Sequence, residues 1–337
     1  MTAPADSAGA PLVQVDDLAK IFDVSAPWLN RVIDRKPRQF VHAVDGVSFS
    51  IRKGRTLALV GESGCGKSTV ARLLVGLYAP TRGSVSFDGV DVRSLDPVQL
   101  RTLRRRMQMI FQDPFASLNP RWKVLDIVAE PIREHGLVTD ADEQRAKVGE
   151  LLASVGLAAA DADKFPHQFS GGQRQRISIA RALATQPEFL VCDEPTSALD
   201  VSVQAQVLNI MKDLQRQRGL TYLFISHNLA VVRHVSDEVG VMYLGRLVEL
   251  ADKADLFAQP RHPYTRMLLD AIPDIRMSGR QRTPVQGEVP NPLQPPTGCA
   301  FHPRCPLANA RCSAERPVLK AFQGIQIACH AVEEGRA

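Results

Sequence analysis

From Leu12 the chain reads LVQVDDLAKIF, and over residues 41–51 it reads VHAVDGVSFSI, with apolar residues at alternate positions. That period of two predicts strands with one buried face. Shorter unbroken apolar runs follow at 56–60 (TLALV), 108–111, 188–192 and 221–225. Runs of this kind predict strands buried on both faces. Helical patterns lie between them, at 68–77, 171–184 and 203–216. Strand alternating with helix predicts an α/β fold with a mostly parallel sheet covered by helices. Residues from about 115 to 168 look helical and carry no buried-strand signal, so an inserted helical subdomain is expected there. Residues 239–250 (VGVMYLGRLVEL) predict two short strands around Gly245. The polar, basic stretch 30–39 is expected to be a surface insertion.

Composition narrows the class. The 337 residues carry 41 Lys and Arg against 36 Asp and Glu, a net charge of +5. That excess is too weak to argue for nucleic acid. No apolar run approaches the ~20 residues of a membrane-spanning helix. The first residues, MTAPADSAGAPLVQVDD, have neither a basic nor an apolar leader region, so export is not expected. Residues 1–11 are Ala- and Pro-rich and are expected to be disordered. Ten of the 23 prolines lie between Pro260 and Pro306, and four of the six cysteines follow residue 298. A loop-rich extension is therefore expected over 259–337, rather than more of the sheet.

Gly61–Ser68 reads GESGCGKS, which fits G-x-x-x-x-G-K-[ST]. It follows an expected buried strand and opens an expected helix. Glycines there let backbone N–H groups curl around phosphate oxygens, and the helix N-terminus adds the positive end of its dipole. Gly61, Glu62, Ser63, Gly64, Cys65, Gly66, Lys67, Ser68 and Thr69 are thus the expected nucleotide loop. Lys67 would reach the β- and γ-phosphates, and the Ser68 hydroxyl would bind Mg2+. The run FLVCDE ends an apolar strand in two carboxylates. Asp193 suits the metal's hydration shell, and Glu194 the polarisation of an attacking water. FSGGQ opens the next helix: Ser170 with Gln173 makes a capping box, and Gly171–Gly172 leave room for something large to approach the backbone.

These motifs, in this order, resemble the nucleotide-binding subunit of an ABC transporter, a P-loop NTPase fold with an antiparallel β subdomain and an inserted helical subdomain. The resemblance runs from about residue 12 to 250, and implies an ATPase over 12–258. It assigns Ser170, Gly171, Gly172 and Gln173 to the signature, Gln112 to the Q-loop, Asp200 in SALD to the D-loop, His227 to the switch and Phe22 to the stacking aromatic for adenine. It implies a head-to-tail dimer, in which Ser170 and Gly172 face the nucleotide of the other subunit. Glu194, His227 and Lys67 are then the catalytic residues, and Ser68, Gln112 and Asp193 hold Mg2+. Asn228 stands where Asp is common in that family.

Cys299, Cys305, Cys312 and Cys329 are spaced for a metal staple in a segment with little core of its own. Zinc knuckles of the C-x2–4-C type are absent, and four-cysteine ligation also suits an iron–sulfur cluster. RHPYT and PPTGCAFHPRC resemble the C-terminal extension of dipeptide and oligopeptide permease ATPases of the F type. That resemblance implies a 4Fe-4S cluster on the four cysteines, with zinc, or His302 or His330 in place of one thiolate, as the alternative. It also implies a peripheral protein on the cytoplasmic membrane face. Two membrane permeases, a paralogous ATPase and an external peptide-binding protein would be its partners, with no nucleic acid. A metal-ion importer, an exporter or a soluble ABC ATPase is the alternative.

Overall fold

The computed structural model describes residues 10–28, 30–31, 37–113, 117–271 and 287–337. Residues 1–9 of the expected N-terminal disorder, part of the 30–39 insertion and Phe115 lie outside the described residues; Pro11, expected disordered, already begins the strand Pro11–Asp23. The chain divides into two compact units.

One unit comprises Met1–Gln14, Ser50–Thr56 and Ser86–Ile225. Its centre is a parallel trio in which Phe189–Asp193 lies between Met107–Ile110 and Thr221–Ile225. Both Phe189–Asp193 (FLVCD) and Thr221–Ile225 (TYLFI) are buried at every position. Parallel strands need covered crossovers. The second crossover is the helix Val201–Arg218, which buries Val207, Leu208, Met211 and Leu214 on one face and stops at Gly219 in the left-handed region. Between the first two strands of the trio lie the helices Val124–Glu134 and Ala141–Ser154, which pack on each other and on Gly171–Leu183. Asp140 caps the second of these through the N–H groups of Asp142 and Glu143. In the arginine-rich run RTLRRR at 101–106, Arg106 binds Asp88 and Glu188, and Arg101 binds Glu134.

The other unit comprises Val15–Phe49, Leu57–Val85 and Ser226–Ala337. Here Leu57–Val60 runs parallel to Glu238–Val241. Glu238–Tyr243 then turns through Leu244–Gly245 into antiparallel Arg246–Asp252. The extension departs from its sequence expectation. Ile325–Ile327 adds antiparallel to Arg246–Asp252, and Lys320–Phe322 adds to Ile325–Ile327. The tail therefore does continue the sheet. Its two strands are three residues each, too short for a period-two signal. Gln323 (φ 48°) and Gly324 (φ 86°) make the two-residue turn with positive φ that suits a tight hairpin. Ile325 and Ile327 are buried, with Gln326 exposed between them. Among the described residues, no helix is long and apolar enough to cross a membrane.

Candidate active site

The glycine-rich loop joins the buried strand Thr56–Val60 to the helix Lys67–Leu74. Two of its glycines are sterically obligatory. At Gly61 (φ 150°) a Cβ would lie 2.2 Å from the Met242 carbonyl oxygen; at Gly66 (φ 104°) it would lie 2.1 Å from that of Ala43. Ser63 and Gly64 are exposed at the loop's crest. Lys67 is only 4% exposed. Its Nζ donates to the Gly61 and Glu62 carbonyls at 2.8 and 2.9 Å, and lies 3.5 Å from the Cys65 Sγ. Burial pushes the Cys65 thiol up, although Lys67 opposes this, so the thiol stays neutral and behaves as a small apolar residue. Ser68 and Thr69 fall in the first turn of the helix, partly exposed.

Residues from the extension touch this loop. The Tyr264 hydroxyl accepts from the Glu62 N–H at 2.8 Å. Arg304 donates to both carboxylate oxygens of Glu62, at 2.7 and 2.9 Å. Tyr264 is the second residue of the helix Pro263–Asp270, whose cap is His262: the His262 Nδ1 accepts from the Tyr264 N–H at 3.0 Å. Glu249, fully buried, accepts from the N–H groups of Arg261 and His262. The contacts of Glu62 with Tyr264 and Arg304 span 202 and 242 positions and carry no short-range sequence signal.

Phe22, next to last in the strand Pro11–Asp23, has its ring edge-on to Tyr78, centroids 5.5 Å apart, and Lys20 Nζ lies 5.2 Å above it. His227 is exposed, two residues past the strand Thr221–Ile225. Asn228 caps the helix Leu229–Val235, accepting from the N–H groups of Ala230 and Val231. The amide oxygen thus does the capping that an Asp carboxylate would do at this position.

In the other unit, Asp193 is 3% exposed at the end of its strand. Glu194 follows with φ 47°, a left-handed conformation that is rare and costly for a non-glycine residue. Its N–H donates to the Ile225 carbonyl, and its own carbonyl accepts from the N–H and hydroxyl of Ser197. The Gln112 amide donates to the Glu194 Oε2 at 3.1 Å, so two expected site residues from separate strands meet. Ser170 and Gln173 form the expected capping box at the start of Gly171–Leu183. Gly172 has an internal reason to be glycine: a Cβ there would lie 2.2 Å from Cγ1 of Val203. At Gly171 the same test finds only ordinary contact with Leu199. Asp200 stands exposed at the head of the helix Val201–Arg218.

The four late cysteines share one neighbourhood. The Cys299 N–H donates to the Cys312 carbonyl at 2.8 Å, an approach that Gly298 (φ 65°) permits, since a Cβ there would lie 2.4 Å from that oxygen. Burial, reinforced by Cys329, Cys312 and Cys305, pushes the Cys299 thiol up to about 11. Cys305 and Cys329 are raised in the same way. His302 and His330 turn ring nitrogens to the carbonyls of Cys299 and Glu315. Among the described residues, no group of three or more His, Cys, Asp or Glu is arranged to hold a metal ion. The expected metal cage is thus not formed, although its thiols lie together.

Known proteins place the chain. A family model described as ABC transporter matches residues 44–197. The oligopeptide transport ATP-binding protein AppF of Bacillus subtilis (strain 168) is 50% identical over 324 residues, 95% of this chain and 97% of its own. The chain belongs to the ABC transporter ATP-binding family. It is accordingly an ATPase with a P-loop NTPase fold. A second model, described as oligopeptide/dipeptide transporter, C-terminal region, matches residues 248–312. The dipeptide transport ATP-binding protein DppF of Escherichia coli (strain K12) is 47% identical over 325 residues, 96% of this chain and 95% of its own. The solved dimeric structure of MJ0796, a bacterial ABC transporter cassette, matches at a TM-score of 0.62 and 27% identity, covering 72% of this chain and 98% of that one.

Proposed function

We propose that this chain is the ATP-hydrolysing subunit of an importer of di- and oligopeptides, working at the cytoplasmic face of the membrane. The observation that carries the peptide reading is the match of residues 248–312 to the oligopeptide/dipeptide transporter C-terminal region, which the named peptide transport relatives support. Residues 12–258 form the ATPase and 259–337 its extension. Two membrane permeases, a paralogous ATPase subunit and an external peptide-binding protein complete the assembly.

Hydrolysis follows from positioning and electrostatics. Lys67 leaves its loop carbonyls for the β- and γ-phosphates, and Phe22 stacks on the adenine. Glu194, held in its strained conformation by Ile225 and Ser197, orients and deprotonates the attacking water. Gln112, already on the Glu194 carboxylate, senses the occupied state. His227 holds the γ-phosphate. Ser68, Gln112 and Asp193 offer the hard oxygen donors that Mg2+ prefers, and the ion supplies charge neutralisation at the transferring phosphoryl group. Ser170, Gly171, Gly172, Gln173 and Asp200 serve the nucleotide of the partner subunit.

The cysteines extend the reading. Three raised thiols, at Cys299, Cys305 and Cys329, have little use as nucleophiles, and Cys312 lies among them. They fit a group that binds thiolates and draws off their protons. Four-cysteine ligation in a segment with little core of its own supports a 4Fe-4S cluster, with zinc as the alternative. Anaerobically purified protein should absorb broadly near ~400 nm with about four irons per chain; stoichiometric zinc without iron would refute this assignment. For the transport reading, the assembly reconstituted in vesicles should take up labelled di- and oligopeptides only with this chain and ATP. Uptake of metal ions but not peptides would overturn it.

A further inference from the structure

Glu62 is the second residue of the phosphate loop, and an acid there is an odd choice for a site that must hold a triphosphate. Its surroundings resolve the difficulty. Arg304 binds both carboxylate oxygens, the fork-on-fork geometry that only arginine supplies. The Arg304 side chain is 2% exposed, against 24% for Glu62, so the cation is buried for this pairing. It is fixed from behind: its guanidinium lies 5.9 Å from the ring centres of both Tyr243 and Phe301. Those two rings pack edge-on at 5.3 Å, and Tyr264 joins them at 4.7 and 5.4 Å. The Tyr264 hydroxyl takes the Glu62 N–H, so that group faces the extension.

We infer that Arg304 and Tyr264 are positioning residues for the phosphate loop, so that the C-terminal extension sets part of this subunit's affinity for nucleotide. The proposal rests on the nucleotide-loop reading above. Arg304 does two things. It fixes the backbone of Glu62, whose carbonyl is one of the two that hold Lys67. It also cancels a negative charge that would otherwise repel phosphate. Tyr264 fixes the same residue through its N–H. A loop held in shape loses less conformational freedom when nucleotide binds, and affinity rises accordingly.

The test is equilibrium binding of Mg-ATP and Mg-ADP to the full chain by calorimetry. Arg304→Gln should weaken both nucleotides by about tenfold, and Arg304→Lys, which keeps the charge but not the fork, by about threefold. Tyr264→Phe should weaken both by about threefold. Glu62→Gln/Arg304→Gln should bind better than Arg304→Gln alone, because it removes the uncompensated carboxylate. A purely structural Arg304 would lower the melting temperature of the nucleotide-free chain and leave affinity untouched in the folded fraction; that result overturns the proposal. If Arg304→Gln does not fold, Arg304→Lys and Tyr264→Phe decide alone: unchanged affinity in both overturns it. Lys67→Ala separates the two readings. If it binds nucleotide as the parent does, the loop assignment itself falls. If it loses binding while the Arg304 and Tyr264 variants keep it, only the proposal falls.

Discussion

His262 offers a pH test of how the extension is held. It is 1% exposed, and its Nδ1 must stay unprotonated to accept from the Tyr264 N–H. Burial, with a smaller contribution from Arg266 and against a hydrogen bond to Ala328, lowers its pKa from 6.5 to about 3. The folded-state value lies below the unfolded one, so the unfolded chain binds the extra proton. The neutral ring's contribution is fully present above about pH 6.5 and is lost progressively as pH falls towards about 3. With these two values, linkage removes ~2 kcal/mol between about pH 7.5 and about pH 5. Glu249, beside it, is raised by burial and works in the opposite sense, losing stability as pH rises. His262→Asn keeps a capping acceptor, keeps the N–H that Glu249 receives, and cannot titrate. Urea unfolding of both proteins at the two pH values isolates the histidine, because the other groups titrate in both. The parent should lose ~2 kcal/mol more than the variant on acidification. Equal losses would refute the assignment of a buried, neutral cap.

Two substitutions test the active-site geometry. Glu194→Gln should retain Mg-ATP binding and slow hydrolysis by roughly 10²–10⁴-fold, since it removes a general base and keeps the shape; turnover near the parent's would exclude Glu194 from that role. Gly172→Ala places a methyl group 2.2 Å from Val203 Cγ1, and the ~1–3 kcal/mol of overpacking should exceed the ~1 kcal/mol that alanine gains as a helix former. The melting temperature should fall and recover in Gly172→Ala/Val203→Ala; an unchanged melting temperature in the single variant would show that Val203 yields freely.

The parts of the fold that could be read from the sequence are those with strong local patterns. The strand Thr221–Ile225 and the helix from Gly171 emerge at their expected places because a fully apolar run and a capping box are local signals. The phosphate loop is legible because its residues form one contiguous motif, although the carbonyls that require Gly61 and Gly66 belong to the distant Met242 and Ala43. Arg82–Phe87 was not legible, since RGSVSF carries a glycine and two serines among its apolar residues. The hairpin 320–327 was hidden by its length. Gly172 reads as room for an approach from outside; Val203, 31 positions away, adds a second reason for glycine there that no local pattern shows. The Arg304–Glu62 pair spans 242 positions, and no periodicity reports a contact of that separation.

The extension therefore has a different standing from the one its proline content implies. Prolines and short strands would make it a loose appendage if it had to supply its own core. It borrows one instead. Ile325 and Ile327 pack as a continuation of the strand Arg246–Asp252, and Phe301 packs on Tyr243, which ends the neighbouring strand. The turn His302–Arg304 is thereby bound to the sheet on one side and bracketed by Cys299 and Cys305 on the other. A side chain carried on so constrained a turn can hold a bidentate contact with Glu62 at little entropic cost, because its own freedom has already been lost to packing. This explains why an arginine with a buried stem, rather than a flexible surface lysine, faces the phosphate loop. It also explains why the contact comes from the extension: that segment brings a rigid cation to Glu62 without adding positive charge to the loop's own sequence.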